Sequence, residues 1–560
     1  MRAKDIGGAA PAAWLAACGL LIVVVVPFAA IVLQAIFPQL GQGSFSEPFS
    51  RLAQTLGDSK LLGMTRNTLL LGLCVVIASA ALAVPLGVAR ALYRIPFARV
   101  WDILLLVPFM IPPYIATLGW IMTLQPRGYL QQLLGFNLSQ FLFSLFGMTL
   151  VMTFNTFPVV YFAVSRTVEA VGARYADVGR VFGATPTRAF WRITLPLSAP
   201  GLAASLLLVF AAAIEEYGTP AALGSRAGFP VLVTGIDTRV SDWPIDLPGA
   251  AILSLVLVTL SLLAFLVQRW ILARRSYQTV VGKPQNSDKR ELGAFTVPVM
   301  AAFAVVAFLA TGVPMLAILV TSLSRTISGG LAVDNVTLAN FAAVFSNSAG
   351  ALGALVNSLT LGVGTAIITG IIGVVSAYTV VKTRMRGRVL IDIMTVIPNA
   401  LPGIVVAVGL IMAWNMPGPL PFTPYNTALI LLLAYCCILL PQTARYATAA
   451  FVQLGDNLEA AARVFGASGP VAFRRILLPL VFPSVASAML LVFALASREL
   501  VASVVVAPVG MQTIATFIWR QFEQGSVGIG MAMAFVTIIL TTLLPLLFLQ
   551  LLKKTGFVVD

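Results

Sequence analysis

Long apolar runs, separated by short polar connections rich in arginine, organise this chain. A helix that crosses a bilayer needs about 20 apolar residues. Runs of that kind lie near 11–36, 67–90, 103–124, 141–165, 198–218 and 247–272, and a second set lies near 297–322, 356–381, 390–414, 427–449, 482–508 and 528–551. The pattern predicts an all-α polytopic membrane protein of about twelve transmembrane helices, arranged as two six-helix repeats. The first run is too long for a signal peptide and lacks a persuasive cleavage site, so it reads as a retained span. Pro108, Pro112, Pro113, Pro398 and Pro402 fall inside predicted spans, where they interrupt the hydrogen-bond ladder. They read either as bends around a pathway or as plain kinks.

Charge sets the expected orientation. Arg2 and Lys4 precede the first span. Arg90, Arg94 and Arg99 follow the second, and Arg166, Arg174, Arg180, Arg188 and Arg192 fill the fourth connection. Arg269, Arg274, Arg275, Lys283, Lys289 and Arg290 follow the sixth span. Lys382, Arg384, Arg386 and Arg388 follow the eighth, and Lys553 and Lys554 follow the twelfth, whereas the connection near 415–426 has neither Lys nor Arg. This alternation places both termini and every even-numbered connection in the cytoplasm. Ser276 to Leu292 is the one long polar stretch and reads as a cytoplasmic linker. The expected domains are therefore 1–275 and 293–560, joined by 276–292. Six spans per half make the repeat parallel, about an axis along the membrane normal.

Composition narrows the chemistry. Of 560 residues, 59% are hydrophobic and only 10% charged, and the net charge of +15 follows the topology rather than a nucleic-acid surface. The chain has no His, which removes imidazole acid–base catalysis, Ser–His triads and the commonest metal ligand. Cys18, Cys74, Cys436 and Cys437 sit in apolar runs without a C-x-x-C pair and read as small core residues. No paired carboxylates have catalytic spacing, so neither an enzyme nor a resident metal site is expected.

One segment occurs twice. Val181 to Pro200 reads VFGATPTRAFWRITLPLSAP, and Val464 to Pro483 reads VFGASGPVAFRRILLPLVFP. Asp102 to Pro113 likewise matches Asp392 to Gly403, and Arg66 to Gly72 echoes Val356 to Gly362. Both copies of the longer segment fall between the fourth and fifth spans of their halves. Gly183 and Gly466 are placed to take positive φ and close a first short helix. Thr185 and Ser468 are placed to cap a second, with Pro186 or Pro470 behind them. Phe190 and Ile193, or Phe473 and Ile476, supply apolar contacts. Arg188 and Arg192, or Arg474 and Arg475, supply charge, and Pro196 and Pro479 are expected to end the piece. Such a knob fits a groove on another protein; the alternative is a loop lying on anionic lipid.

This segment resembles the EAA loop of bacterial binding-protein-dependent ABC importer permeases of the type I fold: Glu-Ala-Ala, three residues, Gly, nine residues, Ile-x-Leu-Pro. The matches are Asp177-Val178-Gly179, Gly183, Ile193, Leu195 and Pro196, then Ala460-Ala461-Ala462, Gly466, Ile476, Leu478 and Pro479. The acidic slot is Asp177 in one copy; in the other it is Ala460, with Glu459 one residue early. The resemblance covers nearly the whole chain. It implies a multi-pass protein of the bacterial inner membrane, two copies of a cytoplasmic ATPase docked on the two loops, and a periplasmic substrate-binding protein. It also implies that ATP is used by the ATPase, with no cofactor bound by this chain, which has no G-x-x-x-x-G-K-[ST] loop.

Glu215 and Glu216 end the fifth span, and Arg498 and Glu499 occupy the equivalent place in the eleventh. They read either as lining or gating a pathway, or as a structural ion pair such as Arg498 with an acid. Glu215 to Gly224 and Arg498 to Pro508 resemble the corresponding runs of fused two-domain ferric-iron permeases. That resemblance implies Fe(III) import. Thiamine, aminoethylphosphonate and polyamine permeases share the frame and are the alternatives. From another class, an ion-coupled secondary transporter also has two parallel six-helix halves, but it has no reason to repeat the knob.

Overall fold

The computed structural model describes residues 6–274, 289–346, 350–415, 423–455 and 457–554. Most of the expected linker, 276–288, lies outside the described residues, as do the side chains of Asp177 and Glu459. The chain is helical almost throughout. Among the described residues, ten helices are long and apolar enough to cross a membrane, beginning with Ala13–Ile36 and Ser59–Leu92. Two further candidates are broken: Ala98–Met110 with Pro113–Leu134 bends by 96°, and Arg388–Ala400 with Gly403–Trp414 bends by 113°.

Neighbouring helices decide how each broken pair is counted. In the first half, Ser79 Oγ lies 3.3 Å from Thr156 Oγ1, and a Cβ on Gly87 would stand 3.0 Å from the Tyr161 carbonyl oxygen. Partner numbers rise together, so Ser59–Leu92 and Leu145–Val181 run parallel. In the second half, Thr443 Oγ1 donates to Thr369 O at 2.8 Å and Lys382 Nζ donates to Leu454 O at 2.5 Å. Ala351–Lys382 and Ala428–Gln453 are therefore parallel too. Two successive parallel spans require the chain between them to return across the bilayer. Each bent pair is thus one span, which makes twelve among the described residues.

The breaks fall at Pro112 and Pro402, both in extended backbone. They are sharp breaks rather than kinks. In the first half Asn155 reaches across from a neighbouring helix, and its Nδ2 donates to the carbonyls of Pro108 (2.9 Å) and Ile111 (3.0 Å). A break inside a membrane persists where other groups satisfy the freed backbone.

The helices gather into two compact units, Met1–Asp58 with Ile236–Val258 and Leu338–Asp560, and Ser59–Gly235 with Thr259–Thr337. These are not the same residues as the repeat halves, because the first span of each half packs among helices of the other half. In one unit a Cβ on Gly409 would stand 2.5 Å from the Pro27 carbonyl oxygen. In the other, a Cβ on Gly119, the repeat position of Gly409, would stand 2.8 Å from the Pro314 carbonyl oxygen. Only a residue without a side chain lets these backbones approach so closely.

Pro27 and Pro314 share a further feature with Pro196 and Pro479. Each follows a five-residue π-turn: Leu21–Val25, Phe308–Gly312, Phe190–Thr194 and Phe473–Leu477. A proline has no N–H to offer the ladder, and the wider turn opens the helix next to the missing bond. One expectation about packing changes. Cys436 and Cys437 are buried as read, but Cys18 is exposed on the first span, where lipid offers the same apolar surroundings as a core.

Candidate functional site

The two repeated segments form matching knobs. Gly183 has φ +86° and Gly466 has φ +83°, and each ends the helix before it, Leu145–Val181 and Asn457–Val464. In the second knob Ala467 N donates to Ala462 O at 3.0 Å, the bond that a left-handed glycine makes available at a helix end. The first knob is carried on an uninterrupted helix. The second has a separate helix, because Ala428–Gln453 stops at Leu454 and Lys382 takes up that carbonyl.

Two details differ from the sequence expectation. Thr185 Oγ1 does accept the N–H of Arg188, at 3.3 Å, but Ser468 makes no such bond. In the first copy proline stands at the first helical position. In the second it has moved to the next one, Pro470, removing one of the two N–H groups a capping side chain can reach. Pro196 and Pro479 do not end the piece. They lie in the first turn of Leu195–Glu215 and Leu478–Ala496, into which the π-turns run without a break. Phe473 makes its apolar contacts with its own bundle. It packs on Tyr378 with ring centroids 4.7 Å apart and on Phe451 at 6.5 Å, and so holds the second knob to its bundle.

Ile193 and Ile476 are half-buried, and Phe190, also half-buried, meets Trp191 edge to face at 5.7 Å. Arg188, Arg192, Arg474 and Arg475 are exposed. The most exposed apolar residues of the knobs are those that open the repeated segment. Val181 and Phe182 are 84% and 86% exposed, and Val464 and Phe465 are 83% and 91% exposed. Sequence reasoning passed over these four residues. Their signal was the identity Val-Phe-Gly in both copies, which puts an apolar pair just ahead of a chain reversal. Large exposed apolar residues grouped together are a common sign of a protein-binding or membrane-contacting surface.

The acids at the ends of the fifth and eleventh spans are half-buried, and two of them have a structural task. Both carboxylate oxygens of Glu216 accept from Thr219 N, at 2.9 and 3.1 Å. Those of Glu499 accept from Ala502 N, at 3.0 and 3.2 Å, and one also from Ser503 N at 3.3 Å. Each acid thus caps the short helix after it, Gly218–Ala227 or Val501–Val506. Thr219 Oγ1 then meets Thr117 Oγ1 at 2.9 Å, and Ser503 Oγ meets Tyr435 Oη at 2.5 Å. In the first half this ties the capped helix to the second arm of the broken span. Glu215 Oε1 is buried with no hydrogen-bond partner among the described residues. Arg498, its repeat position, is half-buried.

Comparison with known proteins agrees with this architecture. The profile of the family "binding-protein-dependent transport system inner membrane component" matches residues 83–277 and again 369–555. The chain is 27% identical over 515 residues to the ferric transport system permease protein FbpB of Actinobacillus pleuropneumoniae, covering 89% of this chain and 72% of that protein. It is 29% identical over 423 residues to the putative ferric transport system permease protein FbpB 1 of Haemophilus influenzae, covering 73% of this chain and 65% of that one. It is 27% identical over 243 residues to the putative 2-aminoethylphosphonate transport system permease protein PhnV of Salmonella paratyphi A, covering 43% of this chain and 89% of that one. Twelve spans, a doubled knob and a doubled profile agree: the chain belongs to the family of inner membrane components of binding-protein-dependent transport systems, and is an ABC importer permease that carries the family segment twice.

Proposed function

We propose that this permease forms the translocation pathway for ferric iron. The observation that carries the iron reading is the reach of the similarity. Relatives named for ferric transport match across both halves, whereas the relative named for 2-aminoethylphosphonate matches 43% of the chain. A periplasmic binding protein delivers the cargo, and a separate cytoplasmic ATPase drives transport. One ATPase copy docks on each knob, so a single copy of this chain serves two. ATP is consumed by that partner; this chain catalyses no reaction and holds no cofactor. Both termini lie in the cytoplasm with the knobs, on the arginine-rich face. The halves 1–275 and 293–560 act as two permease domains joined by 276–292.

The coupling reading rests on Val181–Phe182 and Val464–Phe465. These pairs are almost fully exposed and so open to an apolar groove, with Gly183 and Gly466 turning the chain behind them. Asp177, Glu459 and the neighbouring arginines are assigned to the same contact. Glu216 and Glu499 hold the short helices beside the pathway, and Glu215 and Arg498 lie next to them in sequence. Uptake of radiolabelled ferric iron by cells lacking the gene, with and without the gene restored, tests the substrate. Unchanged iron uptake together with loss of aminoethylphosphonate uptake would replace iron by the phosphonate. Uptake in liposomes without ATP, driven by an ion gradient, would overturn the coupling to an ATPase.

A further inference from the structure

The two knobs are fastened by different means. The second is seated on aromatic rings, Phe473 on Tyr378 and Phe451. The repeat positions of Tyr378 and Phe451 in the first half are Val88 and Val168, so no such seat exists there. The second half also has two polar ties, Arg445 to Asp392 at 3.9 Å and Lys382 to Leu454 O, whereas the first half relies on a larger polar network. Arg90 Nε and Nη2 donate to Asp102 at 3.1 and 2.8 Å, and Tyr161 Oη donates to Asp102 at 2.7 Å. Lys289, from the end of the linker, joins this network. Its Nζ donates to Arg90 O at 3.1 Å and pairs with Glu169 Oε1 at 3.1 Å. Beside it, Arg290 and Glu291 pair in parallel with Tyr93 and Arg94, and Arg94 Nη1 meets Glu291 Oε1 at 3.2 Å. The repeat positions of Arg90, Tyr161 and Glu169 are Val380, Ala444 and Val452, which can make none of these bonds.

We propose that Lys289 to Glu291 form a latch that positions the first knob. Glu169 lies on the helix that carries this knob, about three turns before Val181. Lys289 fastens it to the end of Ser59–Leu92. Lys289 and Glu169 are positioning residues: they limit how far the supporting helix can swing from its neighbour. The latch is polar and partly open to solvent, with side-chain exposures of 21% for Lys289 and 43% for Glu169. Charge reversal at Lys289 and added salt therefore loosen it, while the aromatic seat that the second knob has in addition to its polar ties is indifferent to both. The linker thereby acts on one knob and not on the other.

Hydrogen–deuterium exchange of the full-length chain in nanodiscs tests this directly. In Lys289→Glu, residues 181–196 are expected to exchange about fivefold faster, with residues 464–479 unchanged. Lys289→Arg, which keeps a cationic donor for both Arg90 O and Glu169, retains most of the protection, and about 0.5 M salt reproduces the loosening in the wild type. Equal change in both knobs of Lys289→Glu, no change in the first, or full loosening in Lys289→Arg would overturn the latch. The consequence for transport rests on the coupling reading and is measured separately, as ATP-driven uptake of labelled ferric iron with the ATPase and binding protein present. Faster exchange with undiminished uptake leaves the latch standing and refutes coupling through the first knob. Unaltered exchange refutes the latch whatever uptake does.

Discussion

Replacing Gly466 separates backbone conformation from packing. Its φ is +83°, and a Cβ built on it would meet nothing within 4 Å. A side chain at this position therefore costs nothing through collision with neighbours. The whole cost is the left-handed backbone, about 1–2 kcal/mol for an ordinary L-residue and at the upper end for a β-branched one. About 2 kcal/mol lowers the population of the native turn roughly 30-fold relative to its unwound alternatives. Because the position is exposed, that loss stays in the knob and leaves the bundle intact. Asn tolerates left-handed backbone better than Ala, and Ala better than Val, so ATPase capture should fall in the order Gly466→Asn, Gly466→Ala, Gly466→Val. The assay is co-purification of the ATPase with each variant in detergent, beside thermal stability of the permease alone. Wild-type capture by Gly466→Val, or Asn behaving worse than Val, would refute the reasoning. A drop in permease stability that tracks the loss of capture would also refute it, since the effect would then lie in the bundle.

Other outcomes follow from the same geometry. Gly409→Ala fails for the opposite reason: its Cβ would stand 2.5 Å from the Pro27 carbonyl oxygen. It should lower the melting temperature of the purified permease, at a cost of about 1–3 kcal/mol, before it affects ATPase capture. Phe465→Ser removes a ring that is 91% exposed; it should leave permease stability within about 0.5 kcal/mol of wild type while weakening ATPase capture in a titration. Asn155→Leu leaves the carbonyls of Pro108 and Ile111 without their side-chain donor, and a loss of about 1–3 kcal/mol per carbonyl should appear in unfolding from micelles.

Much of the molecule was legible locally. Apolar length sets a span, so the twelve-span count held even where two spans are broken at right angles. Gly183 and Gly466 were readable as chain reversals because positive φ depends on the residue itself and its immediate neighbours. The capping of Thr185 was local as well, and its failure at Ser468 was present in the sequence as a proline shifted by one position.

Other features were settled only by what lies far away in the chain. The prolines of the third span look alike in sequence; which one becomes a break depends on where the chain must turn and on Asn155 arriving from another helix. Whether Phe473 points at a partner or into its own bundle depends on Tyr378 and Phe451. The carboxylates of Glu216 and Glu499 turned out to serve the next helix, since backbone N–H groups three or four residues on converge on them. Sequence by itself determined where helices run and where they reverse, because those depend on apolar length and local dihedral preference. Tertiary structure alone decided which surfaces stay exposed and how each knob is held, because burial and hydrogen bonding join residues hundreds of positions apart.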